Sequence, residues 1–111
     1  MTTLTPPSPA ALALAARCRK AKAAADSMPR QFEQMPAAPQ ASAAGGEVKL
    51  VVHPGTLADW ARWTRLLGVR DSRDMTSTGS SMVVRCWYAG VRTRLVGVGV
   101  PALLAEAVRH A

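Results

Sequence analysis

Residues Val83 to Val100 constrain the fold most. Val-Val-Arg-Cys-Trp-Tyr, then Ala-Gly, then Val-Arg-Thr-Arg-Leu-Val-Gly-Val is the pattern of a β-hairpin closed by a two-residue turn at Ala89-Gly90. In that register Tyr88 faces Val91, Trp87 faces Arg92, Cys86 faces Thr93, Arg85 faces Arg94 and Val84 faces Leu95. Side chains alternate along a strand, so Val84, Cys86, Tyr88, Val91, Thr93 and Leu95 share one face. Val83, Arg85, Trp87, Arg92, Arg94 and Val96 share the other. A three-residue turn would mix the two sets, so their segregation selects the shorter turn. The selected register sets two arginines directly opposite each other, which destabilises a sheet. A surface that keeps such a pair is suited to something acidic.

Composition changes abruptly near Ala44. Residues 1–44 hold six of the eight prolines and no Val, Gly or Trp, whereas residues 45–111 hold all eleven Val, all eight Gly and all three Trp. Strand and core formers are thus confined to the second part, and the packed α+β domain is expected at 45–111. Ser8 and Pro9 form an N-cap and N1 pair for a helix over about 9–26. Its four basic residues wrap around it and its only bulky apolar residues are Leu12 and Leu14. Residues 1–44 are therefore expected to be a basic, marginally helical or disordered arm with a linker from Met28 to Ala44, dispensable for folding.

Within the second part, Glu47–Val52 alternates Val48, Leu50 and Val52 against Glu47, Lys49 and Val51, the pattern of a half-buried strand. Thr56 with Asp59 three residues on approximates a capping box, and Gly68 is the expected stop of the helix between them. Leu57, Trp60, Ala61, Thr64 and Leu67 form its apolar stripe. Trp63 lies on the flank, either packed against the last helix or half exposed as a partner anchor. Arg73–Thr78 suits an extra edge strand turning at Gly79-Ser80. Pro101 begins a last helix, Ala102–His110, with Leu103, Leu104, Ala107 and Val108 facing inward.

The order β-α-β-β-α, with one possible further strand, is the ferredoxin-like plan lacking its last strand. Both helices should cover the sheet side that carries Val48, Leu50, Val84, Cys86, Tyr88 and Leu95. Lys49, Arg85, Trp87, Arg92 and Arg94 would then lie on the open side. Without a last strand Glu47–Val52 is an edge, and an unprotected edge invites a homodimer by strand addition.

The formal net charge of +7 favours nucleic acid or an acidic protein as partner. The absence of Ile and Asn, with only three Lys, suits a GC-rich bacterial or phage genome, so part of the arginine excess reflects codon usage. No apolar run approaches the ~20 residues of a membrane span, and the apolar stretch Ala10–Ala16 precedes its basic cluster, the reverse of a secretory signal. A cytoplasmic protein with no membrane partner is expected. Cys18, Cys86, His53 and His110 provide no zinc spacing, and no carboxylate accompanies His53 at a catalytic spacing. Thr76–Ser81 is rich in hydroxyls but lacks the Gly-Lys-Ser/Thr ending of a P-loop. No cofactor is implied. The expected function is that of a small non-enzymatic accessory protein, binding nucleic acid or regulating through Lys49, Arg85, Trp87, Arg92 and Arg94. The alternative is an interaction module that docks a partner on an open strand edge and on Trp63.

Overall fold

A computed structural model describes residues 5–69 and 71–110. Its elements are α1 (Pro9–Gln31), β1 (Gln40–Ala44), β2 (Glu47–Val52), α2 (Leu57–Leu66), a 3-10 turn (Ser72–Asp74), β3 (Met75–Thr78), β4 (Ser81–Tyr88), β5 (Val91–Val98) and α3 (Val100–Arg109). The five strands form one mixed sheet in the order β1-β2-β5-β4-β3. The central pair, β2 and β5, is parallel and the remaining pairs are antiparallel. Helices gather on one face, giving the two-layer α+β arrangement expected from the element order.

The hairpin has the register inferred from alternation, with Arg85 opposite Arg94 and Trp87 opposite Arg92. Its turn residues Ala89 and Gly90 both have positive φ, 52° and 77°, as a type I′ turn requires. On the covered face Val48, Leu50, Val52, Val84, Val91, Thr93 and Leu95 are buried, with Cys86 and Tyr88 half-buried beside them. Gly97 is also on this face because the ring of Trp60 lies against its backbone. A Cβ there would collide with that ring and stand 2.7 Å from Val100 Cγ2. Thr56 caps α2 by accepting a bond from the Asp59 N–H at 3.1 Å, and Gly68 follows the helix with φ of 75°.

Three features depart from the sequence expectations. First, α1 runs five residues past Asp26, and Ala21, Ala25, Met28 and the following Phe32 are buried in the common core. Their spacing of four, three and four residues puts them on one helix face. Alanines let α1 approach β1, β2 and β5 closely, so the face packs without bulky residues at every turn. Phe32 meets Trp63 edge-on at 5.5 Å and Tyr88 at 5.5 Å. A segment expected to be a dispensable arm therefore supplies part of the core.

Second, the end of the expected linker is β1. Gly45 and Gly46, with φ of 60° and 79°, close a two-residue hairpin turn that pairs Ala44 with Glu47 and Gln40 with Val51. β1 occupies the sheet position beside β2 that the missing last strand would hold in the ferredoxin-like plan. The strand Glu47–Val52 is thus hydrogen-bonded on both sides. The expected homodimer through that strand is corrected accordingly, since the chain has covered the edge with its own backbone.

Third, α3 begins at Val100 and buries little else. Leu103 is half-buried, but Leu104, Ala107 and Val108, all expected to face inward, are exposed, Val108 by 75%. The reason is spatial: α1 occupies the covered face over β1, β2 and β5, while α3 touches α2 and β4.

Candidate functional site

The uncovered face of the sheet is organised in cross-strand rows. Nearest the two hairpin turns stand Ala44, Glu47, Arg92 and Trp87. The next row is Ser42, Lys49, Arg94 and Arg85, three cations on three adjacent strands. Beyond it lie Gln40, Val51, Val96, Val83 and Thr76. All five residues expected to form a basic face, Lys49, Arg85, Trp87, Arg92 and Arg94, are therefore neighbours on one surface that carries no helix.

The electrostatics of the surface are set by one acid. Arg94 Nη2 donates to Glu47 Oε1 at 2.9 Å, and both side chains are partly shielded. This pair removes one charge from the middle of the cationic row, easing the juxtaposition of Arg94 with Arg85 and Lys49. Arg94 Nε is itself shielded from solvent and has no acceptor among the described residues. Arg85, Lys49 and Arg92 are exposed and have no carboxylate partner among the described residues.

Trp87 is 65% exposed, the largest apolar side chain left in solvent among the described residues. The Arg92 guanidinium lies over its ring, 5.4 Å from the centroid. Cation–π contact of this kind holds the indole in one orientation while leaving most of it accessible. An aromatic plate thus stands at the head of the row of cations.

Two further cations border this end of the face and were not singled out by the sequence. Arg17 and Lys20 of α1, with Gly45, Gly46, Gly90, Val91, Trp87 and Arg92, line a cleft of about 330 Å³. The glycines bring the helix close: a Cβ on Gly46 would lie 3.3 Å from Arg17 Cβ, and one on Gly90 would lie 3.0 Å from Lys20 Nζ. The spacing of Arg17 and Lys20, three apart on a helix, was the available sequence signal. It carried no weight while α1 had no known position.

Trp63 is not at the surface. It is fully buried, and its indole N–H donates to the Pro36 carbonyl at 2.6 Å. Its assignment as a partner anchor is corrected: Phe32 and the chain after α1 enclose it. Cys18 and Cys86 are both free, and burial pushes the Cys86 thiol above its ordinary range. His53 is exposed just past β2, and His110 caps the C-terminus of α3. Among the described residues no three His, Cys, Asp or Glu side chains stand close enough to share a metal ion, and no helix is long and apolar enough to cross a membrane. No protein-family model, curated protein or solved structure matches this chain.

Proposed function

We propose that this protein is a cytoplasmic, non-enzymatic accessory factor that binds single-stranded nucleic acid on its open sheet face. The observation that carries the proposal is the exposed Trp87 plate beside the row Arg85, Arg94 and Lys49, on a face without helices. Bases present π-faces and backbones present phosphates, so a strand lying across such a face meets a stacking partner and cations together. Stacking on an exposed indole requires an unpaired base, which favours single strands over duplex. An acidic protein would satisfy the charge, but bases alternating with phosphates along one strand match an indole set among cations more closely.

The test is titration of the protein with single-stranded DNA and RNA of about twelve nucleotides, within the usual range of single-strand sites, followed by tryptophan fluorescence. Trp60 and Trp63 are buried, so quenching reports Trp87. With Arg94 neutralised by Glu47, three free cations imply a slope of log affinity against log salt of about −2. Followed by anisotropy of a labelled oligonucleotide, which does not use the indole as reporter, Trp87→Ala and the pair Arg85→Ser with Arg92→Ser should each abolish binding and preserve the fold, because all three side chains are exposed. Binding undiminished in both variants would refute the reading.

A further inference from the structure

We infer that the cleft between α1 and the hairpin turns holds the terminal phosphate of the bound strand, with the last base against Trp87. The inference rests on the proposed nucleic-acid function and adds a specific end-recognition site to it. Arg17 and Lys20 reach the cleft from the helix, Arg92 reaches it from the sheet, and the Trp87 ring forms part of its wall. None of these three cations is paired with a carboxylate among the described residues.

The turn glycines let the helix cations reach the cleft: Gly46 lies against Arg17 Cβ, and the Lys20 ammonium reaches over Gly90. At about 330 Å³ the cleft is the size of a small-ligand site and admits one nucleotide, not a duplex. It also lies at the turn end of the face, where Trp87 and Arg92 of the sheet come beside Arg17 and Lys20 of α1. An internal phosphate diester brings one negative charge. A terminal monoester brings about 1.5 to 2 charges and three acceptor oxygens, matching the three unpartnered cations better. The lysine contributes a compact charge, while the arginines contribute directional forks.

The experiment compares one oligonucleotide sequence in three forms: 5′-phosphorylated, 3′-phosphorylated and without a terminal phosphate. Affinities are measured on the full chain at low salt by fluorescence anisotropy. One phosphorylated form should bind about tenfold tighter than the plain one, the scale of a charge-assisted hydrogen bond, and its identity gives the polarity of the strand. Lys20→Gln and Arg17→Gln should each bring that ratio close to one. Arg62→Gln, an exposed arginine of α2 outside the cleft, should leave the ratio unchanged. Equal binding of all three forms would overturn the end-recognition site and leave the broader function standing, as would a preference that survives both Lys20→Gln and Arg17→Gln. Failure of every oligonucleotide to bind would overturn both.

Discussion

Removing residues 1–44 tests the architecture most directly, because local composition and tertiary packing assign that segment opposite roles. A chain beginning at Gly45 loses the buried Phe32 and Met28, the alanine face of α1, and β1. It also strands the Trp63 indole N–H, whose acceptor is the Pro36 carbonyl. Losing a buried Phe side chain costs about 3–5 kcal/mol and a buried Met about 2–5 kcal/mol. These losses reach roughly 5–10 kcal/mol before the β1 ladder is considered, against a typical domain stability of about 5–15 kcal/mol. The shortened chain should therefore show no cooperative urea transition and little near-ultraviolet circular dichroism. Phe32→Ala alone should lower Tm by more than about 10 °C, while Leu12→Ala, at an exposed site on the same helix, should stay within about 0.5 kcal/mol. A cooperative transition for the shortened chain within about 1 kcal/mol of the full-length value would refute the packing of α1 and β1 on the sheet.

Gly97→Ala should destabilise the fold by about 1–3 kcal/mol or more in denaturant titration, because the added methyl meets the Trp60 ring and Val100. A neutral outcome would mean that α2 is free to move away from the sheet. Arg85→Thr removes one of two facing arginines and should raise stability by up to about 1 kcal/mol, measured by chemical denaturation. Loss of stability instead would show that the Arg85 stem packs on the sheet. Burial raises the pKa of Cys86, so at pH 8 it should react with iodoacetamide more slowly in the folded chain than in urea, as followed by mass spectrometry. The same shift means that the unfolded chain loses this proton first. Cys86 therefore makes stability fall as pH rises past the ordinary thiol range, an effect Cys86→Ser should remove.

The elements legible in the sequence are those whose local signals agree with their final surroundings. Alternation across Val83–Val98 specified both the hairpin register and the membership of the basic face, because a slip of one residue would send the arginines into the core. Thr56, Gly68 and the Gly79-Ser80 turn likewise marked real boundaries. The basic site was legible as a list of residues for the same reason. Strand alternation sorts side chains by face before the neighbouring strands are known.

What tertiary structure alone decided is the role of residues 9–44. Ala21 and Ala25 make weak cores by size, and their value appears only once a sheet offers a surface that a slender helix face can approach. The Gly45-Gly46 pair was a hairpin signal in plain view. Its upstream strand, Gln-Ala-Ser-Ala-Ala, has almost no strand propensity, and it forms because β2 presents unpaired backbone groups beside it. That pairing covers the edge of β2. The packing of α1 buries Trp63 and brings Arg17 and Lys20 to the end of the basic face, distances in sequence that only a folded chain can close.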